Sequence, residues 1–248
     1  MKVVVIGGTG LIGSKLVGKL GEHGHEAVVA APSTGVDTLT GAGLPEVLRG
    51  AEVVVDVSNS PSFEDEPVMS FFRTSTSNLL HEEAKAGVLH HVALSVVGTE
   101  RLQESGYFRA KQAQEDLIKA SGIPYSIVHA TQFFEFLKGI ADAATVGDTV
   151  RLAPVKIRPI HSDDVAAAVG RTAVGTPVNG TLEVAGPDEF PLDELIRKGL
   201  AAKNDPRTVV TDPGARYFGA ELKETTLVPG PNAHIAGTRL ADWLARQQ

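Results

Sequence analysis

Tyr107 and Lys111 stand four residues apart, so on a helix they lie one above the other on a single face. An ammonium beside a phenol favours the phenolate, which would bring the tyrosine from its usual pKa of ~10 toward the working range. Such a tyrosine can pass a proton to a carbonyl oxygen while hydride reaches the carbon. Ser95 ends the run His90-His91-Val92-Ala93-Leu94-Ser95, which reads as a strand. Its hydroxyl can hold that same oxygen. Ser95, Tyr107 and Lys111 are therefore the candidate catalytic set. A Y-x-x-x-K spacing alone also describes a solvated helix face. Its weight comes from the strand-end serine and from a glycine turn earlier in the chain.

That turn supplies a place for a hydride donor. Lys2 to Ile6 is a short run of β-branched residues, read as a buried parallel strand. It leads into Gly7-Gly8-Thr9-Gly10-Leu11-Ile12-Gly13 and then a helical pattern with Leu16, Val17 and Leu20 on one face. Gly8, Gly10 and Gly13 fit G-x-G-x-x-G, but measured from the strand end the better frame is Gly7, Gly10 and Gly13. Strand, glycine turn and helix N-terminus together form a seat for a pyrophosphate. Gly7, Thr9, Gly10, Leu11, Ile12 and Gly13 are the candidate contacts. The competing reading is a turn that only packs helix on strand.

The elements that follow position the rest of that seat. Glu26 to Ala31 reads as the second strand, where an acidic residue at the end would bind the adenosine ribose of NAD. Here stand Ala31, Pro32, Ser33 and Thr34, with no carboxylate until Asp37. Ala31, Ser33 and Thr34 leave room for a 2′-phosphate, so NADP is the expected cofactor over NAD, although an arginine for that phosphate is missing too. Ser33 and Thr34 can equally be turn residues. Leu44 to Gly50 reads as a short helix and Glu52 to Val57 as the third strand. Asp56, Val57, Ser58 and Asn59 then lie at its carboxyl end, along the expected cofactor. Glu64-Asp65-Glu66 is a solvated helix start, and no metal site is expected. Pro67 to Gly87 reads as a long helix. His90 and His91 point to opposite faces of their strand and serve structure.

Composition limits the alternatives. The 248 residues carry a formal net charge of −7 with no basic stripe, which argues against nucleic acid or an anionic membrane as partner. Cysteine is absent, so there is no thiolate nucleophile and no disulfide. No apolar run approaches the ~18 residues of a membrane span, and the N-terminal apolar run is too short for a signal peptide. A cytoplasmic protein, monomer or homodimer, acting on a small molecule is the expectation.

The extra residue in the glycine turn resembles the short-chain dehydrogenase/reductase superfamily, particularly its extended and atypical branches. Leu94-Ser95-Val96-Val97-Gly98, Tyr107-Phe108-Arg109-Ala110-Lys111 with Glu115, and Gly122 to Val128 are similar to the NmrA-like atypical members. So are Thr131-Gln132-Phe133-Phe134-Glu135-Phe136 and Asp163-Asp164-Val165-Ala166. The similarity covers nearly the whole chain. It implies that Gly7, Gly10 and Gly13 bind pyrophosphate, that Lys111 holds the nicotinamide ribose, and that Thr131, Gln132 and Phe133 contact the nicotinamide; Ser95 is a further candidate cofactor contact. Where many members carry arginine after the fifth strand, this chain has His129, which faces either a substrate or a buried partner. Phe133, Phe134 and Phe136 are expected either as pocket wall or as core. Tyr217, within Arg216-Tyr217-Phe218, is a further substrate candidate.

The second half reads as a strand over Val155 to Ile160, a helix cap at His161 to Asp164, a strand over Thr181 to Val184, and helices over Pro191 to Ala202 and Gly237 to Gln247. The expected fold is α/β: a Rossmann-type, doubly wound parallel sheet in one NAD(P)-binding domain, with residues from about 131 onward adding a small C-terminal substrate lobe. The expected function is an NADP-dependent oxidoreductase that reduces a carbonyl or quinone of a small organic molecule. The alternatives are a catalytically silent NAD(P)-binding redox sensor and a nucleotide-sugar epimerase-like enzyme.

Overall fold

The structure, a computed structural model, describes residues 1–246. The chain packs as two compact units. One comprises Met1–Ser95, Gly106–His129 and Val165–Leu182; the other comprises Val96–Ser105, Ala130–Asp164 and Glu183 onward.

The first unit opens with β1 (Lys2–Ile6), α1 (Leu11–Glu22), β2 (Glu26–Ala30), the single-turn α2 (Leu44–Val47), β3 (Val53–Asp56) and α3 (Asp65–Ala86). It continues with β4 (His90–Val96), α4 (Gly106–Ala120) and β5 (Tyr125–Ala130), and most of α6 (Ser162–Val174) belongs to it as well. The β-branched runs form strands because both sheet faces are covered: Val3, Val4, Val5, Val54 and Val55 are all buried. Two of the expected strands are shorter than read, since Ala31 and Val57 lie just past β2 and β3.

The central sheet has the order β12-β9-β5-β4-β3-β1-β2, with β9 spanning Gly180–Ala185 and β12 His234–Ile235. Val5 pairs in parallel with Val29 on one side and Val55 on the other, and Val55 pairs with Val92. The chain leaves β1 for β2 at one edge, then returns to place β3 on the opposite side of β1. That reversal is a topological switch point, and ligands of open α/β sheets bind outside the carboxyl ends of the strands at such a point. In this chain the carboxyl ends concerned are the Gly7 turn and the Asp56–Asn59 loop.

Helix α3 carries Asp65 and Glu66 in its first turn, where the helix dipole favours acids. It ends at Gly87, whose φ of 71° is the left-handed conformation that suits glycine. Val68 and Phe72 of α3 pack with Ala110 of α4, joined by Met69, Phe71 and Tyr107. The buried face of α4 is mixed: Phe108, Ala110 and Ile118 lie beside Lys111, Gln114 and Glu115.

The second unit contains α5 (Leu137–Ala143) and an antiparallel pair β6 (Thr145–Val146) and β7 (Thr149–Leu152), to which β11 (Thr208–Thr211) adds in parallel. It also holds a two-residue pair of β8 (Lys156–Ile157) with β10 (Phe190–Pro191), then α7 (Leu192–Ala202) and α8 (Leu240–Ala245). The strand expected over Val155 to Ile160 is reduced to β8 and an isolated bridge from Ile160 to Phe133. Pro154 and Pro159 flank it and cannot donate to a ladder. The helix expected over Gly237 to Gln247 begins three residues later, at Leu240, and Gln247 lies outside the described residues. Among the described residues no helix is long and apolar enough to cross a membrane.

Candidate functional site

The glycine turn divides its labour. Gly7 has a φ of 76°, and a Cβ on it would come within 2.9 Å of the Ser58 Cα and N. Glycine there lets the turn after β1 lie flush against the loop after β3. A Cβ on Gly13 would overlap Gly7 O and stand 2.7 Å from Gly8 Cα. Gly13 is buried and brings α1 down onto the turn, so its missing side chain serves close packing while its N–H stays in the first turn of the helix. Thr9, Gly10 and Leu11 are exposed, whereas Ile12 is core. Gly10 caps α1 with extended backbone, and the first ladder bond runs from Ser14 N–H to Gly10 O. The N–H groups of Leu11, Ile12 and Gly13 thus precede the ladder, at the positive end of the dipole, and no acidic side chain occupies that first turn.

The turn after β2 is closed on itself. Thr34 Oγ accepts from Ala31 N–H at 3.0 Å and lies 3.0 Å from Ala31 O, to which it donates. Thr34 thus serves the turn, the second of the two readings that its sequence left open. Ala31 is buried and offers no surface, while Ser33 is exposed. The nearest following carboxylate, Asp37, accepts from Leu39 N–H at 2.8 Å. Asp56 is also reassigned. It is buried, and Oδ1 accepts from both Ser58 N–H (2.9 Å) and Ser58 Oγ–H (2.6 Å), while Oδ2 accepts from Gln114 Nε2–H (2.9 Å). Asp56 shapes the loop holding Ser58 and Asn59 instead of meeting a ligand itself.

The carboxyl end of β4 and the buried face of α4 bring Ser95 and Lys111 into two separate networks. Lys111 Nζ donates to Leu94 O at 2.9 Å and to Gln114 Oε1, and the Phe72 ring centre lies 4.6 Å from Nζ. Burial pushes the Lys111 amine down to about 8, against the upward pull of Asp56 and Glu115. Ser95 Oγ donates to Glu115 Oε1 at 2.6 Å, the oxygen that also faces His129 Nε2 at 2.7 Å, and Lys119 Nζ donates to Glu115 Oε2 at 3.2 Å. Burial alone would raise the Glu115 pKa, but the bonds from His129 and Ser95, with the Lys119 charge, outweigh it and hold the carboxyl at about 2. An ionised carboxylate only accepts, so His129 Nε2 carries the proton. His129 is thus a buried residue satisfied by a carboxylate, and its expected alternative as a substrate contact is not what the fold uses it for.

Tyr107 departs from the sequence argument. Its ring packs against Phe63, Phe72 and Phe108, with centroids 5.4, 6.2 and 5.3 Å away. Burial among these rings pushes the phenol pKa up, above its ordinary value. The Lys111 ammonium donates to Leu94 O and Gln114 Oε1, and burial raises the tyrosine pKa instead of the lowering that the i, i+4 spacing suggested. His90 and His91 occupy opposite faces of β4 as read: His90 Nε2 is 2.9 Å from Ser126 Oγ, and His91 Nδ1 is 2.9 Å from Glu83 Oε1.

In the second unit, Thr131 and Gln132 follow β5. Thr131 Oγ and both polar atoms of the Gln132 amide are buried without a hydrogen-bond partner among the described residues. Unsatisfied buried groups of this kind call for a ligand or water. Phe133 stacks on Phe136 at 5.1 Å. Phe134 is core, packed between His161 (6.0 Å) and Trp243 (5.5 Å), and so is not a pocket wall. Tyr217 is likewise buried, edge-on to Phe218 and paired through its backbone with Ala220, which removes it as a substrate contact.

Gln114 was missed by reasoning on motifs. A signal for it was present, since Lys111, Gln114, Glu115 and Ile118 share one helical face by 3- and 4-residue spacing.

No family model matches the chain. It is 28% identical over 204 residues to a (4-alkanoyl-5-oxo-2,5-dihydrofuran-3-yl)methyl phosphate reductase of Streptomyces griseus, an alignment spanning 75% of this chain and 68% of that one. It is 24% identical over 217 residues to a photosystem II assembly factor of Synechocystis, spanning 79% of this chain and 66% of the relative. Among solved structures it superposes on a dTDP-glucose 4,6-dehydratase from Streptomyces venezuelae with NAD bound, at a TM-score of 0.75, with 16% identity and coverage of 99% and 95%. By its strand–glycine–helix turn, its sheet order and these likenesses, the chain has a Rossmann-type α/β fold.

Proposed function

We propose that this protein is an NADPH-dependent oxidoreductase of the NmrA-like branch that reduces a carbonyl or quinone of a small organic molecule. The observation that carries the reading is the turn after β1. Thr9, Gly10 and Leu11 are exposed at the dipole-positive end of α1, beside the Ser58 loop at the sheet's switch point. The S. griseus relative, named as a reductase, supports it. The residues fit a dinucleotide: Leu11, Ile12 and Gly13 N–H groups would hold the pyrophosphate, and Lys111 would hold a ribose hydroxyl. Thr131 and Gln132, with their unpaired buried polar atoms, are the second unit's candidates for ligand contact. When bound, the nicotinamide supplies hydride.

The chain's own residues then hold and move the proton. Tyr107, whose phenol pKa burial raises above its ordinary value, is protonated at neutral pH and can donate. Ser95 directs its hydrogen to ionised Glu115, so it would have to turn away from that carboxylate before it could polarise a carbonyl. The preference for NADPH rests on the absence of an acid after β2, where exposed Ser33 precedes the next carboxylate, Asp37. A second reading, a silent dinucleotide-binding protein, is favoured by the raised Tyr107 pKa and by a Lys111 ammonium that donates to Leu94 O and Gln114 Oε1. The name of the Synechocystis relative, an assembly factor, points the same way. A screen of aldehydes, ketones and quinones that follows NADPH absorbance separates the two. Turnover supports the oxidoreductase; NADPH binding without turnover on any class supports the silent binder.

A further inference from the structure

We infer that Gln114 is a positioning residue that holds the Lys111 ammonium at the carboxyl end of β4 and ties it, through Asp56, to the Ser58 loop. The inference rests on the reading that Lys111 meets the dinucleotide. The chain of contacts is continuous, and its donors converge on the Asp56 carboxylate. Ser58 N–H and Oγ–H donate to Asp56 Oδ1, Gln114 Nε2–H donates to Asp56 Oδ2, and Lys111 Nζ–H donates to Gln114 Oε1 and to Leu94 O.

Chemistry orients the amide. An ammonium can only donate and a carboxylate only accept, so a flipped Gln114 would set NH₂ against NH₃⁺ and a carbonyl against Asp56. Asp56, Lys111 and Gln114 are all at most 2% exposed, so water does not substitute for either bond. The neutral amide has a second consequence. It keeps Asp56 one residue away from Nζ, where direct contact would form a buried ion pair that fixes the proton on the lysine.

The groups facing Nζ from its surroundings are few. Asp56 at the end of β3 and Glu115 on α4 are the charged ones, α3 presents the Phe72 ring, and β4 presents Leu94 O. Glu83 and His91, the buried pair behind them, act electrostatically with Asp56. Because burial sets the amine near about 8, a change of its immediate partner is readable within the stable pH range.

The test is the titration midpoint of Lys111, read by ¹⁵N NMR of lysine-labelled, cofactor-free protein and assigned with Lys111→Arg. Gln114→Glu places a carboxylate on Nζ, so its midpoint should rise by at least one pH unit, a tenfold gain in proton affinity. Gln114→Leu removes an acceptor, so its midpoint should fall and NADPH affinity should drop at least tenfold. A midpoint in Gln114→Glu equal to that of the wild type would overturn the inference. Should Gln114→Glu not fold, Gln114→Leu decides, with a lowered midpoint expected and an unchanged one overturning the inference. If wild type binds no NADPH, the dinucleotide reading fails, while the midpoints still decide the role of Gln114.

Discussion

Gly13→Ala and Gly10→Ala should separate packing from ligand contact within a single turn. At Gly13 the added methyl overlaps Gly7 O and lies 2.7 and 2.8 Å from Gly8 Cα and Gly7 C. Carbon atoms sit ordinarily ~3.5–4.0 Å apart, and these neighbours are backbone, so they cannot rotate aside. Overpacking of that kind costs about 3 kcal/mol at the upper end, against a gain of ~1 kcal/mol for alanine over glycine in a helix. The net loss of about 2 kcal/mol corresponds to a fall in Tm of roughly 4–8 °C for a chain of this size. At Gly10 the backbone is extended, which any residue adopts, and a Cβ there would stand 3.3 Å from Gly7 O, the only close neighbour among the described residues outside the adjoining chain. Gly10→Ala should cost about 1 kcal/mol or less through the weaker helix cap, yet lower NADPH affinity at least tenfold by standing where a phosphate must approach. Thermal unfolding by circular dichroism and NADPH titration by calorimetry read the two effects. A Tm for Gly13→Ala within a degree of wild type, or unaltered NADPH binding in Gly10→Ala, would refute this division of roles.

Tyr107→Phe should leave NADPH binding unchanged and lower kcat by about 10²–10⁴ if the phenol is the proton donor; in wild type the raised tyrosine pKa predicts no fall in rate from its ionisation up to about pH 10, and a basic limb below that would count against it. Glu115 has a depressed folded pKa of about 2, so its stabilisation is present above the unfolded carboxyl range near ~4.3 and is lost as pH falls through about 2. Glu115→Gln should therefore be less stable than wild type by about 1–3 kcal/mol at pH 7, with the gap narrowing below pH ~4 in urea titrations; a gap independent of pH would show that the carboxylate charge is not what stabilises. Ser33→Asp, at the exposed position after β2, should shift preference from NADPH toward NADH by tenfold or more, about 1.4 kcal/mol, and equal affinities before and after would place the ribose elsewhere.

The strands, the long helices and the glycine turn were legible because each rests on local chemistry. β-Branched runs between turn residues, apolar residues at helical spacing and glycine at a left-handed position all leave marks within a few neighbouring residues. Sheet β6-β7-β11 and strand β12 were not anticipated. They are short, and pairing rather than pattern makes them strands.

The candidate site followed the same boundary. Residue types and spacing brought forward Ser95, Tyr107, Lys111 and the loop after β3, because motif positions lie at strand ends and on one helical turn. Partner choice was decided by tertiary structure alone. The ammonium of Lys111 goes to Gln114 and Leu94 and not to Tyr107, and the Ser95 proton goes to Glu115 and not to a substrate position. Thr34 closes its own turn, and Phe134 and Tyr217 sink into the core. A sequence states which groups can donate, accept or pack, but a hydrogen bond forms only over about 3 Å. Which of several competent groups stands within that reach is set by how α4 lies on α3 and the sheet, through contacts tens of residues apart in the chain.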